Sequence, residues 1–185
     1  MESFEFSPTD LDGVVRIRAR RHADARGWLG ESYRRSAFAE AGIDRPFVQD
    51  NLSLSSAGTL RGMHYQIAPH AQGKLLRVLS GRLFDVVVDI RRSSPTYGRW
   101  LGQTLSAVGD EMLWVAPGFA HGFLALEDDT HLLYKCTAEY HPASERAIHW
   151  NDPDLGIQWP EVGHPYLVSE KDDQAAAYRD AETFE

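Results

Sequence analysis

Three short stretches carry most of the polar side chains capable of chemistry: Gln49-Asp50-Asn51-Leu52-Ser53, Arg61-Gly62-Met63-His64-Tyr65-Gln66 and Gln72-Gly73-Lys74. Imidazole titrates near neutrality and can both take and return a proton, while an ammonium group stabilises a developing oxyanion. His64 with Lys74 nearby therefore describes acid-base work. If residues 60–66 are extended, side chains alternate: Leu60, Gly62, His64 and Gln66 share one face, and Arg61, Met63 and Tyr65 the other. His64 would then point into a barrel. Each residue also has an ordinary reading when taken singly. His64 could be a hydrogen-bonded core histidine, Tyr134 a packing residue and Lys74 a strand lysine with a buried stem; Arg26, Arg61 and Lys171 could be surface charges.

The elements that must position these groups read as strands. Runs at residues 13–18, 58–65, 74–80, 83–90, 100–105, 112–115, 122–126 and 131–137 are β-like, and their spacing predicts an all-β sandwich or barrel. Ser80-Gly81, Ser94-Pro95, Gly109-Asp110, Pro117-Gly118 and Asp128-Asp129 punctuate them as turns. Within 83–90, Phe84, Val86, Val88 and Ile90 fall on one face, expected to be core, with Asp85, Val87 and Asp89 on the other. Two helical pieces are expected: Ser36 to Gly42, with Ser36 as N-cap, and the Asp/Ala-rich tail from Asp172 onward. The polar run at 49–53 is unusual for a strand.

At 185 residues and 43% apolar composition, without repeats or low-complexity linkers, one domain spanning 1–185 is expected. A net charge of -8 argues against nucleic-acid binding, although a small anion can still find a local Arg/Lys cluster. Cys136 is the only cysteine, so no intramolecular disulfide can form, and a strand-packing role is expected for it. The first 20 residues carry Glu2, Glu5, Asp10 and Asp12 without a long apolar run, and no apolar stretch elsewhere is long enough to span a membrane. A soluble cytoplasmic protein without a signal peptide or anchor is expected.

The order Gly58, His64, Gln66 and then Pro117-Gly118-Phe119-Ala120-His121 resembles the two motifs of the cupin superfamily, where histidines and a carboxylate hold a metal. Here Gln66 stands where a cupin metal site has His, and Lys74 takes the acidic ligand's place. A cation there repels a divalent ion, so no metal is expected. Across residues 24–172 the chain resembles the dTDP-4-dehydrorhamnose 3,5-epimerase family. The matching blocks are Asp24-Ala-Arg-Gly27 with Glu31, Gln49-Asp-Asn-Leu-Ser53, Leu60-Arg-Gly-Met-His-Tyr-Gln66, Gln72-Gly-Lys74, Phe84-Asp-Val-Val-Val-Asp-Ile-Arg91, Pro117-Gly-Phe-Ala-His-Gly-Phe123, Tyr134-Lys-Cys136, Trp150-Asn-Asp-Pro153 and Ser169-Glu-Lys-Asp172.

That resemblance implies a cupin-type double-stranded β-helix (jelly roll) with short peripheral helices, acting as a homodimer on a dTDP-4-keto-6-deoxy sugar without a cofactor. It implies His64 as general base, Tyr134 as general acid on the opposite face, Lys74 at the enolate oxygen and Asp172 as the partner of His64, with Asp173 as the alternative register. Around the substrate it places Arg26, Glu31, Gln49, Asn51, Arg61, His121, Glu145 and Lys171, with Tyr140 stacking on the thymine. Arg26 lies in an N-terminal segment lent to the neighbouring subunit. His22, His70, His131, His141, His149 and His164 are left to surface or packing roles, and Asp85 and Asp89 to structural ion pairs. The implied reaction inverts C3 and C5. Inversion of one centre in a related deoxysugar, or a cupin that binds without catalysis, are the rivals.

Overall fold

A computed structural model describes residues 3–185; Met1 and Glu2, the latter one of the acidic residues counted at the N-terminus, lie outside the described residues. Fourteen strands follow in order: β1 Phe4–Pro8, β2 Val14–Ala19, β3 Arg21–Asp24, β4 Gly27–Gly30, β5 Gln49–Ser55, β6 Thr59–Gln66, β7 Lys74–Ser80, β8 Arg82–Asp89, β9 Trp100–Ser106, β10 Glu111–Val115, β11 Phe119–Ala125, β12 Thr130–Cys136, β13 Glu145–Ala147 and β14 Leu167–Val168. Two short α-helices accompany them, α1 (Arg35–Glu40) and α2 (Glu170–Asp173). None of the described helices is long and apolar enough to cross a membrane.

The strands form two facing sheets. One runs β1-β2-β10-β7-β12-β5, the other β13-β6-β11-β8-β9 with β14 added beside β6, and β3-β4 is a separate hairpin. All pairings are antiparallel except that of β14 with β6. This is the expected all-β cupin-type jelly roll with short peripheral helices. Its apolar residues sort into three layers. Leu76, Val78, Leu83, Val87, Leu113, Phe119, Phe123 and Leu132 pack between the sheets. Phe38 of α1 closes the outer face of the first sheet with Phe4, Ile17, Leu75 and Met112. Ile148, Leu155 and Ile157 close the outer face of the second over Met63, Val86, Val88 and Ile90.

That covering corrects the reading of 83–90, because both faces of β8 are core: Leu83 and Val87 point inward, and Val86 and Val88 outward beneath the C-terminal segment. Asp85 and Asp89 are wholly buried; Asp85 is hydrogen-bonded to His121 at 2.8 Å, and Asp89 is ion-paired with Arg91 at 2.7 Å. Cys136 is a buried strand residue as expected. Two helix expectations change. The N-cap of α1 is Arg34, without a side-chain cap, rather than Ser36. The tail is not one continuous α-helix: α2 ends at Asp173, Tyr178–Asp180 forms only a single 3-10 turn, and Ala176 and Phe184 form bridges to Ile148 and Arg91, because main-chain pairing outweighs alanine's helix preference. His121 lies on β11, which starts at Phe119, ahead of the strand expected at residues 122–126.

Candidate active site

A cavity of about 500 Å³ opens between the inner faces of the two sheets. The first sheet supplies it in cross-strand rows. Gln49, Cys136 and Lys74 are register partners across β5, β12 and β7, and so are Asn51, Tyr134 and Leu76. Alternation then sets Gln49, Asn51 and Ser53 on the cavity side of β5, while Leu52 and Leu54 face outward and stay more than half exposed. The second sheet supplies His64 on β6 opposite His121 on β11.

Strict alternation along β6 puts Arg61 away from His64, yet both line the cavity. The reason is a shift in register. His121 faces His64 and Phe123 faces Arg61, so three steps on β6 meet two on β11. Gly62 sits in this bulge with φ of 138°, and a Cβ there would lie 2.5 Å from the Gly122 Cα, so only glycine lets the two backbones approach.

His64 Nε2 lies 2.6 Å from Asp172 Oδ1. Asp172 is 3% exposed, and its other oxygen accepts the Gly62 N–H at 3.3 Å. The carboxylate is carried on α2, whose N-cap Ser169 accepts the Asp172 N–H at 3.1 Å. Burial alone would raise the Asp172 pKa. The hydrogen bond and charge of His64, with Gly62 and Ser169, outweigh it and hold the carboxyl below its ordinary range. An ionised carboxylate only accepts, so the proton of a neutral imidazole resides on Nε2 and the lone pair on Nδ1. Nδ1 has no protein partner among the described residues and is the atom able to take a proton. Asp173 is exposed and lines a separate hollow beside Trp150 and His164, which settles the register of the carboxylate contact on Asp172.

Across the cavity, Tyr134 has no hydrogen-bond partner for its hydroxyl among the described residues, and burial, then Cys136, push its pKa up, keeping the proton on oxygen. Lys74 is 8% exposed and spends one donor on the His64 carbonyl at 3.1 Å. Burial presses its pKa down by disfavouring the charged form, and an anion beside it would offset that effect and stabilise the ammonium. At the rim, Lys171 pairs with Glu145 at 2.7 Å and Tyr140 donates to the same carboxylate at 2.8 Å. Arg61 donates to Ser55 Oγ and the Leu54 carbonyl, both at 3.3 Å, which braces its guanidinium at the cavity edge.

One cavity thus gathers His64, Tyr134, Lys74, Asp172, Gln49, Asn51, Arg61, His121, Tyr140, Glu145 and Lys171. Arg26 and Glu31 are not among its lining. Arg26 sits at the tip of the β3-β4 hairpin, paired with Asp24 at 2.6 Å, and Glu31 follows the hairpin beside Arg34. The cavity also includes Ser53, whose buried Oγ has no partner among the described residues, with Leu60, Phe123 and Leu132 as apolar wall. Reading 49–53 as a strand would have found Ser53 two residues beyond Asn51. Among the described residues no group of three or more His, Cys, Asp or Glu side chains is arranged to hold a metal ion. The groups that stand where cupin ligands would be, the Gln66 amide and the Lys74 ammonium, are poor donors for a divalent ion.

The family model described as dTDP-4-dehydrorhamnose 3,5-epimerase matches residues 8–180. The dTDP-4-dehydrorhamnose 3,5-epimerase of Pseudomonas aeruginosa is 50% identical over 175 residues, covering 94% of this chain and 96% of that protein. Among solved structures, the dTDP-6-deoxy-D-glucose-3,5-epimerase of Legionella pneumophila in complex with dTDP-4-keto-L-rhamnose superposes with a TM-score of 0.92 at 43% identity, covering 97% of this chain and 95% of that one. A His/Tyr double mutant of a 3'-monoepimerase from Streptomyces bikiniensis, in complex with dTDP, gives a TM-score of 0.88 at 36% identity over 93% and 86% of the two chains. With a family model spanning most of the sequence and relatives this similar along nearly their whole length, the chain belongs to the dTDP-4-dehydrorhamnose 3,5-epimerase family.

Proposed function

We propose that this enzyme, acting as a single jelly-roll domain, inverts C3 and C5 of dTDP-4-dehydro-6-deoxy-D-glucose to give dTDP-4-dehydro-L-rhamnose. The observation that carries the reading is the placement of His64, paired with Asp172 of α2, on one sheet, facing a cavity shared with the buried Lys74 and the Tyr134 hydroxyl of the other sheet, the latter without a hydrogen-bond partner among the described residues. The C4 ketone acidifies the hydrogens on its neighbours. His64 Nδ1 takes the proton from such a carbon, and the bonding electrons move to the ketone oxygen as an enolate held by Lys74. Tyr134 returns a proton to the same carbon from the other side, and proton exchange with solvent restores neutral His64 and protonated Tyr134 before the second centre reacts. The carbon is inverted because base and acid come from opposite sheets. No electrons are gained or lost overall, and the substrate's own ketone activates both centres, so no cofactor is invoked.

Arg61, Gln49, Asn51, His121, Glu145 and Lys171 surround the sugar nucleotide in this reading, with Tyr140 against the base. Arg26 and Glu31 serve the site of a second copy, which makes the working unit a homodimer. A cytoplasmic location follows from a nucleotide-sugar substrate. The S. bikiniensis relative supports the two main roles: its double mutant alters a histidine and a tyrosine 70 positions apart, the separation of His64 and Tyr134. The same relative favours a second reading, since it is described as a 3'-monoepimerase. Product analysis separates the two. Incubation with the 4-keto-6-deoxyglucose nucleotide, followed by reduction and NMR, is expected to give the L-rhamno configuration; a product inverted at C3 alone would contradict the double inversion.

A further inference from the structure

Gln66 occupies a cupin ligand position but binds no side chain of the catalytic group. It is 3% exposed, and its amide reaches main chain on two segments. Nε2 donates to the His70 carbonyl at 2.7 Å and the Glu139 carbonyl at 3.2 Å, while Oε1 accepts the His141 N–H at 2.8 Å. Two further amides act on the same segment: Gln72 Nε2 donates to the Ala138 carbonyl at 2.8 Å, and Gln49 Oε1 accepts the Tyr140 N–H at 2.8 Å. Residues 138–140 make no main-chain to main-chain hydrogen bond among the described residues. Four consecutive residues, 138 to 141, are therefore hung on glutamine side chains in place of a sheet partner. The imidazoles of His70 and His141 stack at 3.8 Å, joining the same two segments.

Tyr140 is the exposed aromatic carried by this segment. A ring presented on an unpaired segment loses freedom on binding a ligand, and that cost falls when the backbone is already held. An amide is the group for the task, because it donates to carbonyls and accepts from N–H groups at once, whereas a carboxylate only accepts. We propose that Gln66 and Gln72 are positioning residues for nucleotide binding, which hold the backbone on either side of Tyr140, at Ala138, Glu139 and His141, so that its ring meets the base. The proposal rests on the reading of Tyr140 as the base-stacking residue.

The test is a double-mutant cycle on the full-length enzyme, with dTDP affinity by calorimetry and steady-state kinetics on the keto-sugar nucleotide. Gln66→Met and Gln72→Met, which remove three hydrogen bonds and one respectively, are each expected to weaken dTDP binding about tenfold, with kcat kept within about twofold. In a Tyr140→Ala background the same substitutions are expected to change affinity by less than about twofold, since the ring they position is gone. Gln72 is only partly buried, so its variant carries the test if Gln66→Met does not fold. Equal losses in both backgrounds, or a fall in kcat with unchanged affinity, would overturn the proposal. A Tyr140→Ala enzyme with unaltered dTDP affinity would overturn the stacking reading and the proposal with it, whereas an additive cycle beneath a weakened Tyr140→Ala would overturn the proposal alone.

Discussion

His64 is oriented by a carboxylate that remains ionised although it is almost fully buried. Asp172 achieves this through its contacts to His64, Gly62 and Ser169, which outweigh the effect of burial. Replacing it by Asn keeps the shape but lets the amide donate to Nε2, moving the imidazole proton to Nδ1, where the lone pair is needed. Asp172→Asn is accordingly expected to lower kcat on the order of 10²-fold or more with KM little changed, as read by steady-state kinetics. Lys74→Met should likewise reduce kcat rather than affinity, because its charge meets an oxygen that is fully anionic only in the enolate. Tyr134, unlike His64, is visible only through the order of family motifs. A tyrosine in an apolar strand has no chemical mark in a single sequence, and what qualifies it structurally is a place on the cavity wall and a hydroxyl without a hydrogen-bond partner among the described residues.

At the scale of elements, alternation along strands was legible wherever one face was apolar, and the eight strands expected from it are β2 and β6 to β12. The misses have separate physical causes. In β5 the inward residues Gln49, Asn51 and Ser53 are polar because they line a cavity, while Leu52 and Leu54 face out, so the usual pattern is inverted. β13 and β14 are too short to show a period, and the bulge at Gly62 breaks alternation at the residues that matter most. Gly62→Ala should destabilise the fold by about 1–3 kcal/mol in chemical unfolding and reduce activity with it, since the added Cβ meets backbone rather than a flexible side chain. The helical turn behind the site is equally specific. Ser169→Ala removes the N-cap that steadies Asp172, with an expected loss of about 1 kcal/mol in stability and a measurable drop in kcat.

For the molecule as a whole, two features outside the cavity matter, one for stability and one for the proposed assembly. Asp89 is buried where β8 leaves the sheet. Burial raises its pKa, but hydrogen bonds from Arg91, Ser94 and Thr96 outweigh this and pull it down from 3.8 to about 2. A folded pKa below the unfolded value means stability that is present above pH 4 or so and lost as pH falls through 2. Asp89→Asn should cost about 2 kcal/mol near neutral pH, a difference that shrinks in unfolding curves recorded towards pH 2. The β3-β4 hairpin is the other feature. Its Arg26 is absent from this chain's own cavity, and in the proposed dimer it completes the neighbour's site. Arg26→Ala and His64→Ala enzymes, each impaired alone, should recover roughly a quarter of wild-type activity when mixed and allowed to exchange subunits, because half the dimers then hold one intact site.

The central claim is that proton removal on one sheet and proton return from the other invert two carbons beside one ketone. It is tested most directly by running the reaction in deuterium oxide and locating the label by NMR. The wild type is expected to place deuterium at both C3 and C5, His64→Ala at neither, and Tyr134→Phe to retain part of the exchange while forming little inverted product. Label confined to C3 in the wild type, or exchange in His64→Ala at the wild-type rate, would contradict the account.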